Sequence, residues 1–233
     1  MSDKCKESII KMGFCLVEIP QNPNLDKPVC AHPDISVFSF NNSIIAENRV
    51  VLTLKERMFL IGESEVNISE GCKFEEETLY PHDCVLNFAV CGKRLIGNMK
   101  HINGELLDIA KKNELELISV NQGYAKCNIC VVNDDAIITE DKGIAEACRK
   151  RGIDVLLLNT NSVKLDGYKY GFIGGATGTV FDDDGGVNKI LFCGSVEKHP
   201  EFYNIDSFCK SHGAVPVSLS DDDLCDYGSI IIL

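Results

Sequence analysis

The sequence has no apolar run that could cross a membrane. Its longest, "VLLL" at Val155 to Leu158 and "SIIIL" at the C-terminus, fall far below the roughly 20 residues a spanning helix needs. The opening "MSDKCKESII" lacks an apolar core of signal-peptide length and a small-residue cleavage site, so a soluble cytoplasmic protein is expected, with no membrane partner. Basic runs are missing too. None exceeds "RKR" at Arg149 to Arg151, and the formal net charge is −12. A phosphate backbone would be repelled, so nucleic acid is not an expected partner. There is no H-x-x-H, and no second C-x-x-C beside Cys127 and Cys130. A four-ligand structural zinc site therefore has no second knuckle to complete it.

What is present reads as one globular unit. The 233 residues are 45% hydrophobic and 25% charged, an ordinary globular balance, and the length suits one substantial core. A single domain over residues 1–233 is expected. Twelve cysteines are scattered through mostly apolar stretches. Free cysteine behaves as a small buried hydrophobe, and disulfides are rare in a reducing cytosol, so most are read as reduced core residues.

The stretch "CNICVVNDDAIITEDKGIAEACRKRGIDVLLLN" reads as strand, tight turn at Asn133-Asp134-Asp135, strand, helix from about Lys142 to Arg151, Gly152 as stop, then strand. "LNFAVCGKRLIGNMKHINGELLDIAKKNELELISV", Leu86 to Val120, repeats that order. Asn87 falls on Asn128 and the Gly92-Lys93 turn on Asn133-Asp134, a period of about 41 residues. Two looser copies follow the same order. One has a hairpin at Asn41-Asn42, a helix ending near Leu60 and a strand near Glu65 to Ile68. The other has a hairpin at "DDDGG", a helix from Pro200 to about His212 and a strand "VPVSL". The remaining pieces are "DYGSIIIL" at the C-terminus, read as a strand, and "CKESIIKMGFCLVEIP" at the N-terminus, read as helix then strand. Together they suggest a fifth unit split across the termini, with irregular inserts at Ser69 to Asp83 and Ser162 to Tyr170.

A ring of five ββαβ units resembles the pentein, or guanidine-modifying-enzyme, fold. "GYAKCNICVVNDDAIIT", "YGFIGGATG" and "DYGSIIIL" look like an uncharacterised bacterial family assigned to that fold. The resemblance implies an α/β fold: a pentein-like five-bladed propeller, closed by the N- and C-terminal segments around a central channel. It also implies one of two functional types. Some penteins attack a guanidine carbon with a cysteine aided by histidine and carboxylates. Others bind without catalysis, like the translation initiation factor that keeps ribosomal subunits apart.

"HPDISVF" resembles the H-x-D strand opening of the deiminases, with His32 as general acid/base and Asp34 gripping a guanidinium nitrogen. The chemistry fits, since imidazole titrates near neutrality and a carboxylate matches a guanidinium fork. A strand-opening His-Pro with an exposed Asp is the plainer reading. Cys127 and Cys130, if in one strand, face opposite sides, and a redox C-x-x-C should open a helix rather than a strand. No metal and no cofactor is expected. Cys127 is then either a nucleophile beside His32 or a packed thiol. Asn87 and Asn128, at matched repeat positions, either line a polar channel or satisfy buried backbone groups. Gly174 and Gly175 in "GFIGGATG" lack the lysine and following helix of a phosphate loop, and suit close backbone approach instead. Catalytic penteins carry their cysteine near the C-terminus. This chain has Asp226-Tyr227-Gly228-Ser229 there, with Cys225 just upstream.

The expected function is binding of a small polar or cationic, guanidinium-like ligand in the channel, with its hydrolysis left open. If the chain is an enzyme, the catalytic set is His32, Asp34 and Cys127, with Cys225 in reserve. Asn87, Asn128, Gly174, Gly175, Asp226 and Ser229 are the expected ligand-binding residues. The alternative is a non-catalytic protein-interaction module like the ribosome-binding penteins, its partner unspecified by the sequence.

Overall fold

The structure is a computed structural model that describes residues 1–61, 66–73, 80–182 and 186–233. After helix α1 (Asp3–Lys11) and the helical turn α2 (Pro33–Ser36), the chain forms one module four times. The first module is β1 (Val37–Phe40), β2 (Ser43–Glu47), α3 (Asn48–Ile61) and β3 (Asn67–Cys72). The second is β4 (Ala89–Cys91), β5 (Arg94–Gly97), α4 (Gly104–Lys112) and β6 (Glu116–Ser119). The helical turn α5 (Ala125–Asn128) leads into the third, β7 (Ile129–Asn133), β8 (Ala136–Thr139), α6 (Lys142–Arg149) and β9 (Asp154–Leu157). The fourth is β10 (Thr177–Val180), β11 (Asn188–Phe192), α7 (Phe202–Ser211) and β12 (Ala214–Ser218). Each module is its own three-stranded sheet in chain order. A tight turn makes its first pair antiparallel, and the helical crossover makes its second pair parallel.

Local chemistry explains the boundaries. Gly92, Gly152 and Gly213 take φ of 55°, 76° and 69°, a left-handed conformation that turns a hairpin or stops a helix at little cost only without a Cβ. Asp141 caps α6 by accepting from the Ile144 N–H at 2.8 Å.

Alternation along each inner strand joins the modules. Ile129 and Val131 of β7 pack toward Ala89, Cys91 and Ile96 of the second module. Cys130 and Val132 pack toward Ile190 and Phe192 of the fourth, as successive side chains of a strand must. The termini do the same between the fourth and first modules. Phe14, Leu16 and Ile230 pack on Leu191, Cys193 and Leu219, whereas Val17, Ile19 and Ile231 pack on Val37, Ile44 and Leu54.

The expected fifth sheet does not form among the described residues: no ladder joins the two terminal segments. Two physical reasons are visible. The C-terminal N–H groups go elsewhere, Ser229 N to Gly175 O at 2.7 Å and Ile230 N to Thr177 O at 2.9 Å. A cavity also lies where the ladder would run, lined on one side by Leu16, Val17 and Ile19 and on another by Ile230 and Ile231. The third strand of the first module falls later than expected, so Ser69 to Cys72 is strand rather than insert. Glu65 and the centre of the "DDDGG" turn lie outside the described residues. All twelve cysteines are free, and most are buried. No helix among the described residues is long and apolar enough to cross a membrane.

Candidate functional site

The inner strands do not open directly from extended chain. α2 and α5 are helical turns placed just before β1 and β7, and a 3₁₀ turn, Gly174–Ala176, precedes β10. These turns bring their polar residues to one buried place. Asp34 sits in α2, with its N–H on the Gly228 carbonyl at 3.0 Å. Cys127 sits in α5, so it shares no strand with Cys130. The strand placement expected for it is corrected by the Asn128 N to Tyr124 O bond that closes the turn at 3.2 Å.

The contacts are dense. Asp34 Oδ2 accepts the Cys127 thiol at 3.0 Å and the Ser229 hydroxyl at 2.7 Å. Asn87 accepts from the Lys126 and Cys127 N–H groups at 2.7 and 3.3 Å and donates to the Asp34 carbonyl at 2.9 Å. Its amide also lies 3.3 Å from Cys127 Sγ. Lys126 Nζ reaches Ser229 Oγ at 3.2 Å. One atom each from His32, Asp34 and Cys127, all buried, lie within 4.8 Å of one another. Asp34 Oδ1 and His32 Nδ1 are buried and meet no hydrogen-bond partner among the described residues. Asp226 Oδ1 stands 3.8 Å from His32 Nδ1, beyond hydrogen-bond reach.

The glycines hold this geometry. A Cβ on Gly175 would stand 2.0 Å from Asp226 Oδ1, and one on Gly174 2.4 Å from the Lys126 carbonyl. Their carbonyls anchor the C-terminal segment: Gly175 O accepts from Tyr227 N and Ser229 N, and Gly174 O from the Ser229 hydroxyl. That segment turns through Gly228 and Ser229 at φ 78° and 68°. The second value is costly for a residue with a side chain.

Electrostatics favour positive charge here. Burial raises the Asp226 carboxyl to about 6; His32 opposes that rise and Asp34 adds to it. Burial likewise lifts the Glu140 carboxyl to about 7, with Asp226 and Glu201 adding to the effect. Burial, reinforced by Asp34 and Asp226, holds the Cys127 thiol well above its ordinary range. His32, Asp34 and Cys127 include the donor types of a three-ligand metal centre. A metal there would require Cys127 to give up the proton it now donates to Asp34.

Of the residues expected from the sequence, His32, Asp34, Cys127, Asn87, Asp226 and Ser229 meet in this cluster, with Gly174 and Gly175 beneath it. Asn128 turns aside, its amide capping the Tyr124 carbonyl at 2.9 Å. Cys225 stands outside the trio; its thiol meets the Asp226 carbonyl at 3.9 Å, and its backbone bridges Lys164. Asp34 is buried rather than exposed. Lys126 and Glu140 were not foreseen. Lys126 carries no local signal for a contact 103 residues away. Glu140 directly precedes the α6 cap and reads as an exposed acid at a helix start, yet its carboxyl accepts the Ile173 N–H at 3.2 Å.

These features define a mixed α/β protein of repeated ββαβ modules with a buried imidazole–carboxyl–thiol site between them. The chain matches the "Family of unknown function (DUF6873)" over residues 1–231 and belongs to it. No curated protein matches it. Among solved structures it is similar to an agmatine deiminase from C. jejuni, with 11% identity and TM-score 0.44, covering 76% of this chain and 62% of that one. It is also similar to SxtG, an amidinotransferase from Microseira wollei in the saxitoxin biosynthetic pathway. There the identity is 11% and the TM-score 0.47, with 85% of this chain and 70% of that one covered. The chain thus spans less than two thirds of the deiminase's length.

Proposed function

We propose that this protein binds a small cation with several N–H donors, a guanidinium or a related amine, between Asp34, His32 and Asp226. The observation that carries this reading is Asp34 Oδ1, a fully buried carboxyl oxygen with no donor among the described residues. Buried acceptors of this kind are costly unless a donor meets them. A guanidinium supplies planar N–H pairs suited to a carboxyl, and its charge would relieve the crowding of Asp34 and Asp226. The polar cluster suits a small ligand better than a protein-interaction module, which would use exposed apolar surface. The repeated modules also support reading the fold as a pentein-like ring of five units, the terminal segments standing in for the fifth.

Binding is better supported than hydrolysis. A thiol held far above neutrality and hydrogen-bonded to a carboxyl is a poor nucleophile. A bound cation would lower it, so turnover is tested with ligand present.

The test is calorimetric titration with arginine, agmatine, guanidinoacetate and methylguanidine, alongside ammonia-release assays. At least one should bind, and Asp34→Asn should weaken it by tenfold or more, on the order of 1.4 kcal/mol or above. If none of the four binds, or if Asp34→Asn binds as well as the native chain, the reading is withdrawn.

A further inference from the structure

The cavity between the terminal segments has a volume of about 480 Å³, within the range of small-molecule sites. Its walls are mostly apolar, with Val17 and Ile19 from the N-terminal segment, Leu54 and Met58 from α3, and Ile231 from the C-terminus. It runs beside β1, a strand paired on one edge only, from Val37 at its start to the hairpin turn at Asn41. At the Val37 end it touches Pro33 and Ser229. These residues adjoin the polar cluster: Pro33 precedes Asp34, and the Ser229 hydroxyl donates to Asp34 Oδ2 at 2.7 Å. An apolar cavity thus abuts a buried acidic cluster through one serine.

From this adjacency we infer that the ligand is amphiphilic: a guanidinium or amine head at Asp34, joined to an unbranched apolar chain that lies in the terminal-seam cavity. The inference rests on the cation site proposed above and adds the substrate class. The partition of charges supports it. Asp34 and Asp226 face the head, whereas among the described residues no Asp, Glu, Lys, Arg or His side chain lines the cavity. An uncharged chain without a head would leave Asp34 Oδ1 unmet.

Chain length is the discriminating variable. Titration calorimetry would compare methyl-, butyl-, hexyl- and octylguanidinium below their micelle-forming concentrations, with octanol as the headless control. Each added methylene that enters the cavity should tighten binding by about fourfold until the space is filled. Val17→Trp and Ile231→Trp, which fill the cavity from the N-terminal and the C-terminal segment, should abolish the length dependence and leave methylguanidinium binding intact. Two filling variants guard against one failing to fold. Asp34→Asn should weaken the whole series in parallel. Methylguanidinium binding with no gain along the series would overturn the chain assignment and leave the cation site standing. Octanol binding as tightly as octylguanidinium would overturn the coupling of cavity and cluster, and equal binding of methylguanidinium by the Asp34→Asn variant would withdraw the cation site and this inference with it. If no guanidinium binds at all, the cation site falls, and this inference falls with it.

Discussion

At the scale of single residues, burial governs what each site group can do. Cys127 is 3% exposed, and its thiol sits beside two acidic side chains, so the thiolate is disfavoured both by lost hydration and by repulsion. Iodoacetamide at pH 7.5 should label exposed Cys15 at least a hundredfold faster than Cys127, as peptide mass spectrometry would show. Comparable labelling would mean a far more accessible and acidic thiol than the structure places there. The Glu140 carboxyl, raised by burial to about 7 from an ordinary 4.5, has a stability consequence of definite sign. Between those values the folded chain holds a proton that the unfolded chain has released. The resulting stabilisation is complete below about pH 4 and is lost as the pH rises through about 7. Glu140→Gln keeps an acceptor for the Ile173 N–H and removes the titration. Its stability relative to the native chain should therefore improve by about 1 to 3 kcal/mol between pH 4.5 and pH 8, measured by urea denaturation at each pH. A constant difference across that range would remove Glu140 from the account.

At the scale of elements, the turns ahead of the inner strands carry the polar cluster. α2, α5 and the Gly174–Ala176 turn each lift polar groups off a strand axis and point them at a shared centre. Gly175 sets how near the last of these can come to the C-terminal segment. Its added methyl would collide with a carboxyl already tied by Phe172 N and Gly228 N, both at 2.9 Å. Gly175→Ala should cost about 2 kcal/mol or more in thermal or urea denaturation, and should weaken ligand binding too. Gly104 makes the contrasting case. It opens α4, and a Cβ there meets nothing within 4 Å. Gly104→Ala should be neutral or stabilise by up to about 1 kcal/mol, mainly through the unfolded chain. Similar costs at both glycines would contradict the close approach at Gly175.

At the scale of the whole molecule, the question is how the terminal segments pack on both the fourth module and the first. The terminal segments alternate their side chains as strands would, yet share no ladder. Side-chain packing therefore joins the two ends more than backbone pairing does. Removing residues 230–233 would strip Ile230 and Ile231 from two separate apolar clusters at once. That deletion should lower stability by roughly 2 to 4 kcal/mol, since each partly buried isoleucine contributes on the order of 1 to 2. Scanning calorimetry would read this as a melting point several degrees lower. An unchanged melting point would show that the C-terminal segment adds nothing to this packing.

Much of this was legible in the chain. Apolar periodicity, turn residues and glycine stops marked four ββαβ modules, because those signals are local and each module buries its own hairpin. The string "HPD", the Cys127–Cys130 pair and "DYGS" stood out because their residue types carry chemistry. Three things required the tertiary structure. Whether Cys127 and His32 meet depends on turns that bring together residues 93 and more positions apart, and local sequence carries no measure of that distance. Which of Asn87 and Asn128 joins the site was settled by a hydrogen bond within α5 that ties Asn128 to its own turn. The fate of the expected fifth sheet was settled by packing. The C-terminal N–H groups found carbonyls of the fourth module first, and the space left between the terminal segments became a cavity beside the site.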